Sequence, residues 1–228
     1  MSIEQDLDLV VFDMAGTTVQ DNGEVPAAFA SALAGYGIDV TPAQIRAVRG
    51  RSKRQALFQL LPPSPDREET ADRLYESFKE HLAHRYTSGG VRAIAGAEQA
   101  FQELREWGVR IALNTGFDRD TATLLLEALR WNDGRVDAVV CGDEVLQGRP
   151  APYLIFHAME ASGAISPRRV AVVGDTTRDL QAGDNAGVRW NIGVLSGAHD
   201  KAMLEAVPHT LLLPSVAELA QALRLSAR

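Results

Sequence analysis

Cysteine is almost missing from this chain: Cys141 stands alone, so no intramolecular disulfide can form and nothing marks an oxidising compartment. Long apolar runs are missing too, and none is long enough to span a bilayer. Positive charge is in deficit, with 23 Lys and Arg against 30 Asp and Glu and a formal net charge of −7. That balance argues against a general nucleic-acid or membrane-surface binder and leaves open a local basic patch around a small anion. No internal repeat or low-complexity segment is found. The stretch from Met1 to Asp8 is polar and acidic, without the basic and apolar regions of a secretory signal. These absences describe a cytoplasmic protein with no nucleic-acid and no membrane partner; a homodimer stays open. The 228 residues, 46% of them apolar, are enough for one large domain or for a core with a smaller companion.

What the chain does have is alternation. Apolar runs at 7–12, 109–113, 136–140, 170–173, 188–194 and 211–213 read as strands buried on both faces. Helical patterns fall between them, including 97–107 with Gly108 behind it, 119–129, and 153–162 ending at Gly163. Strands alternating with helices predict an α/β fold, a doubly wound, Rossmann-like parallel sheet covered on both faces. Residues 25–84 break the pattern and show helical pieces only. Thr41 and Pro42 open one of these pieces, and Pro62, Pro63 and Pro65 separate two others. The expected division is a core domain of residues 1–20 and 90–228, with a small helical cap domain, 21–89, inserted after the first strand. Gly23 and the Gly89-Gly90 pair are the candidate hinges.

In open parallel sheets, ligands bind beyond the carboxyl ends of the strands. The first run ends in Asp13-Met14-Ala15-Gly16-Thr17-Thr18, the second in Asn114-Thr115-Gly116, and the fourth in Gly174-Asp175-Thr176-Thr177-Arg178-Asp179. Gly148-Arg149-Pro150 precedes the helix that starts near Ala151. Carboxylates, a hydroxyl and a cation therefore meet at one edge, the set required for metal-assisted phosphoryl transfer. Taken singly, these residues also have ordinary readings as strand ends, turn residues and helix caps.

The four motifs in this order resemble the haloacid dehalogenase superfamily over nearly the whole chain, with the helical insertion where that superfamily carries its cap. The resemblance implies Asp13 as nucleophile and metal ligand, the Ala15 carbonyl as a second ligand, and Mg²⁺ bound directly by Asp175, with Asp179 supporting the metal directly or through water. It implies substrate or phosphate contacts from Gly16, Thr17, Gly50, Thr115 and Gly116, and Arg149 in the place of the basic residue, usually lysine, that neutralises the aspartyl phosphate. Most phosphatases of the superfamily carry an acid at the position of Ala15, and alanine cannot protonate a leaving alkoxide. Ala15 and Arg149 instead resemble the phosphonoacetaldehyde hydrolase (phosphonatase) branch, which cleaves a carbon–phosphorus bond through a Schiff base on a cap lysine. Gly50 and Lys53 have that branch's glycine-to-lysine spacing, whereas its methionine and histidine are here Arg49 and Ala56. A nucleophilic lysine must be neutral, and Arg49, Arg51 and Arg54 supply the cations that lower its pKa. On a helix, Arg49 and Lys53 would share a face. His81 and His84 are candidates for proton relay or plain surface residues. The organophosphorus substrate is then a 2-oxoalkylphosphonate. The other readings are a small-molecule phosphate-monoester phosphatase and a non-catalytic phosphate-binding protein.

Overall fold

Short runs of Val, Leu, Ile and Phe without polar interruption bury both faces only between two covering layers. In a computed structural model, which describes residues 6–226, the apolar runs form a six-stranded sheet. The first five and last two residues, the ends of the expected core segment, lie outside the described residues. The strands are β1 (Leu9–Asp13), β2 (Arg110–Asn114), β3 (Ala138–Val140), β4 (Val170–Gly174), β5 (Trp190–Val194) and β6 (Leu211–Leu213). Their order is β3-β2-β1-β4-β5-β6, and every neighbouring pair is parallel. The fold is the expected α/β one.

Alternation along β1 divides the core. Leu9 and Val11 belong to an apolar layer shared with α7 (Tyr153–Ser162) and α8 (Thr177–Ala186). Val10 and Phe12 face the other way, toward a layer that takes in α5 (Ala97–Glu106), α6 (Arg119–Leu129) and α10 (Leu219–Ser226). Register then matters for function: Asp13 lies opposite Asn114, and Gly174 opposite Gly193, so these strands end together along one edge. The first apolar run is displaced from its expected bounds. Leu7 is buried, but Asp8 turns aside to a bidentate ion pair with Arg169 at 2.7 Å, and regular pairing starts at Leu9.

Between β1 and α5 the chain holds helices and no strand: α1 (Glu24–Ala34), α2 (Pro42–Val48), α3 (Lys53–Leu60) and α4 (Arg67–Gly89). Thr41 caps α2 as expected, accepting from the Gln44 amide, while the Gln44 side chain accepts from the Thr41 amide at 2.8 Å. Phe29 of α1 packs on Phe78 of α4 at 4.6 Å between centroids. The stretch around residue 50 departs from expectation. Helix α2 stops at Val48, Gly50 takes φ +80°, and α3 starts at Lys53, so Arg49 and Lys53 do not share a helix face. The apolar cluster runs without a break from Phe29, Leu57 and Leu82 into Met14 and Leu113 of the sheet. After α9 (Lys201–Glu205) the chain crosses to β6. No helix among the described residues is long and apolar enough to cross a membrane.

Both connections into the helical segment carry a glycine at positive φ: Gly23 at +102° and Gly90 at +76° with ψ 153°. The Gly90 conformation is closed to residues with a Cβ. Gly90→Ala is expected to destabilise the protein by about 1–3 kcal/mol. Gly89→Ala, inside α4 with open space around it, should instead be neutral or stabilising by roughly 0.5 kcal/mol. Urea unfolding of the two variants checks the difference.

Candidate active site

One buried guanidinium organises the carboxyl edge of the sheet. Arg149 reaches Asp13 from Nη1 at 2.7 Å and Asp179 from Nε at 2.9 Å. Its Nη2 donates to the Asn114 backbone carbonyl at 3.0 Å and also to the Asn114 side-chain oxygen. Burial opposes the charge on Arg149, yet Asp179 and Asp13 beside it outweigh that and raise its pKa. The loop ahead of α7 thus delivers a permanent cation to the ends of β1 and β2.

Asp13 closes β1. Its pKa is raised, chiefly by burial, with Asp179 adding to the effect and Arg149 and Lys53 opposing it. Asp175 follows β4 and is pushed up to about 7 by burial and by the charges of Asp13 and Asp179. It accepts from the Ala198 amide at 2.6 Å and the Thr17 hydroxyl at 3.3 Å. A Cβ on Gly16 or Gly197 would strike its carboxylate, so both glycines make room for it. Asp179, in the first turn of α8, has one oxygen on Arg149 and the other on Thr176, whose amide donates at 3.0 Å. Both oxygens of Asp179 are thus engaged within the protein, and each keeps a further lone pair.

Lys53 comes from the other side. It is the first residue of α3, and its amide donates to the Gly116 carbonyl at 3.2 Å. Its Nζ lies 4.6 Å above the Phe117 ring and forms no ion pair among the described residues. Burial, and then Arg49, bring its pKa down from 10.5 to about 8. Cap and core loops touch here without side chains between them: a Cβ on Gly50 would strike Thr176, and one on Gly116 would strike the Arg51 carbonyl.

Asp13, Ala15, Arg49, Gly50, Lys53, Thr115, Arg149, Asp175 and Asp179 line one cavity. It has about 10 Å³ of open space, roughly that of a single water. Of the other expected site residues, Gly16 and Thr17 stand behind Asp175, and Gly116 stands under Lys53, outside the cavity wall. Thr115 lines it, with Oγ1 accepting from the Phe117 amide at 3.1 Å and its own proton left to donate. His81 and His84 lie exposed on α4.

Sequence reasoning passed over several neighbours. Asp21 forms a buried ion pair with Arg49 at 2.6 Å. The loop after β5 supplies Ala198 to Asp175 and places buried His199 alongside; His199 Nδ1 accepts from the Thr177 amide at 3.1 Å, which leaves the proton on Nε2. That loop follows the fifth apolar run, so the carboxyl-end rule already pointed to it. Asp21 carries no such signal.

Among the described residues no three Asp, Glu, His or Cys side chains gather closely enough to hold a metal by themselves. The donors that line the cavity are nevertheless hard oxygens, the carboxylates of Asp13 and Asp175, with the backbone of Ala15 beside them. Mg²⁺ is commonly held by one or two carboxylates with water completing its shell. The raised pKa values of Asp13 and Asp175 record how poorly those charges are compensated by the protein alone, and the donor set fits that ion.

Residues 10–192 match the family model described as haloacid dehalogenase-like hydrolase, and the chain belongs to this family of enzymes. It is 30% identical over 217 residues to a phosphonoacetaldehyde hydrolase from Bacteroides fragilis, covering 90% of this chain and 82% of the relative. A phosphonoacetaldehyde hydrolase from Bacillus cereus is 28% identical, covering 87% and 80%. Among solved structures, a hydrolase from Pseudomonas syringae aligns with a TM-score of 0.84 at 25% identity, covering 95% of this chain and 97% of that one. A phosphonoacetaldehyde hydrolase-like protein from Oleispira antarctica shares the fold, with a TM-score of 0.85 at 21% identity over 96% and 91%.

Arg149→Met removes the cation and leaves Asp13 and Asp179 buried and unpaired. In urea with chelator at neutral pH the variant is expected to lose about 3–5 kcal/mol of stability. The loss should shrink as pH falls, because protonation removes the unpaired charges. An equal loss at every pH would locate the contribution in packing instead.

Proposed function

We propose that this enzyme is a Mg²⁺-dependent hydrolase that transfers the phosphoryl group of phosphonoacetaldehyde, or a related 2-oxoalkylphosphonate, to Asp13 by way of an imine on Lys53. The observation that carries this reading is Lys53 itself: a buried amine without a carboxylate partner, its pKa near 8, in the same cavity as the Asp13 carboxylate. Roughly one such lysine in ten is neutral at pH 7, enough to attack a carbonyl. Similarity to relatives named phosphonoacetaldehyde hydrolase supports it as well.

In this mechanism Lys53 condenses with the substrate carbonyl and releases water. A carboxylate oxygen of Asp13 attacks phosphorus, and the pair from the breaking carbon–phosphorus bond moves into the protonated imine to give an enamine. No acid is required at position 15, which Ala15 could not supply. Protonation at carbon and hydrolysis return Lys53, and water then releases phosphate from Asp13. Arg149 balances charge on Asp13 and on the transferred group, while Thr115 donates to a phosphoryl oxygen. Asp13, Asp175 and the Ala15 carbonyl would hold Mg²⁺, which supplies charge neutralisation and orientation for the phosphonate. The cap, residues 21–89, would have to part from the core to admit a substrate, since the closed cavity holds no more than a water. The lone, buried Cys141 suits a reducing cytoplasm.

Lys53→Arg keeps a cation but cannot form an imine. It is expected to lower kcat/KM on phosphonoacetaldehyde at least a hundredfold, about 3 kcal/mol of barrier. Borohydride added with that substrate should leave a mass label on the Lys53 peptide of the wild type; a fully active variant, or a label elsewhere, would hand the function to monoester hydrolysis.

The pH dependence has a fixed sign. Activity should fall about tenfold per unit below pH 8, as Lys53 is protonated. Because the folded pKa lies below the unfolded value of 10.5, the unfolded chain binds more protons between the two. The contribution of Lys53 to stability therefore rises with pH across that window. A rate profile flat from pH 6 to 8 would count against a neutral-lysine nucleophile.

A further inference from the structure

The cavity wall beside Lys53 holds a residue whose hydrogen-bond donors the proposed chemistry does not use. Arg49 is only 9% exposed and lines the cavity together with Asp13 and Lys53. Its Nη2 donates to Asp21 Oδ2 at 2.6 Å, while Nε and Nη1 have no acceptor among the described residues. Asp21 is itself committed elsewhere, because its Oδ1 accepts from the amides of Gly23 and Val25 at 3.2 and 3.1 Å. A second cleft, of about 490 Å³, shares Arg49 as a wall with Ala27, Ile45 and Ala198. Neither Nε nor Nη1 is among the fully enclosed polar atoms, so water or an incoming acceptor can reach both. An aldehyde offers nothing at its carbonyl carbon except hydrogen. A carboxylate on that carbon would offer two oxygens in the plane that suits a guanidinium fork.

Resting on the imine reading above, we infer that the preferred substrate is a 2-oxoalkylphosphonate carrying a carboxylate on its carbonyl carbon, and that Arg49 is the residue that selects it. The simplest such compound is 3-phosphonopyruvate. Lys53 condenses with its ketone and expels water, Asp13 takes phosphorus, and the electron pair of the carbon–phosphorus bond is held as an enamine. Protonation at the former phosphonate carbon and two hydrolyses give pyruvate, phosphate and the starting enzyme, with one water consumed overall. No oxidant or reductant enters. Arg49 touches only the carboxylate, so it governs which substrate is held more than how fast the bond breaks.

The test compares phosphate release, with Mg²⁺, from 3-phosphonopyruvate and from phosphonoacetaldehyde. Wild-type kcat/KM is expected to favour the keto acid at least tenfold. Arg49→Met should lower the keto-acid-to-aldehyde ratio at least thirtyfold, mainly through KM. Asp21→Asn keeps the acceptor for the Gly23 and Val25 amides, removes the competing charge and should raise the ratio; a purely structural ion pair would instead lower both activities together. If Arg49→Met does not fold, as judged by its thermal transition, Arg49→Lys carries the test, with the ratio falling in the same direction. Wild-type preference for the aldehyde, or a ratio unchanged in the Arg49 variant, overturns the inference. Aldehyde turnover with a Lys53 label and no keto-acid turnover removes this inference alone. Turnover of neither, with no label on Lys53, removes the imine reading as well.

Discussion

Everything at this site depends on keeping one guanidinium among carboxylates where water does not reach. Arg149 binds Asp13 and Asp179 and is seated on Asn114, so a single side chain ties together the ends of β1 and β2 and the start of α8. Such clusters seldom contribute much net stability, since desolvation offsets most of the attraction, but losing one member leaves charges with no compensation. Their value lies in fixing positions. One oxygen of Asp13 and one of Asp179 are held by Arg149, and the other oxygen of Asp179 accepts from the Thr176 amide.

Compensation by Arg149 is incomplete, and that shortfall defines the remaining chemistry. Asp175 and Asp13 both stand above the usual carboxylate range, so the acidic edge retains demand for positive charge. On the facing side the opposite holds: Arg49 and burial work against a proton on Lys53. Two surfaces of opposite need are brought within one small cavity, and the proposed substrate, a doubly charged phosphonate joined to a carbonyl, would meet both.

The fold could be read from the sequence because its strands are buried on both faces and therefore spell continuous apolar runs. The carboxyl-end rule then located Asp13, Thr115, Asp175 and Asp179 without any coordinates. It could also have reached the 195–199 loop, whose Ala198 and His199 surround Asp175. What could not be read is whatever depends on how the helical segment lies on the sheet. The Arg49–Asp21 pair joins residues 28 positions apart in different loops, with no periodicity to announce it. The break at Gly50 was equally hidden, since Arg49 to Arg54 reads as well for an unbroken helix as for a turn between two. Gly16 and Thr17 follow Asp13 closely in sequence, yet they pack against Asp175 instead.

The direct backbone contact between the Gly50 and Gly116 loops has a chemical consequence for a cell full of stray carbonyl compounds. An unprotonated amine in open water would be scavenged by any passing aldehyde or keto acid. In the proposed mechanism the amine belongs to α3 and the attacking carboxylate to β1, and the burial that brings the Lys53 pKa down to about 8 is found where the two loops lie against each other. Reactivity is thus a property of the joined surfaces, held by neither alone. On that mechanism, parting the loops would return the lysine to an ordinary ammonium, invisible to the carbonyl pool, and only a ligand that fits between them would meet the amine as a nucleophile.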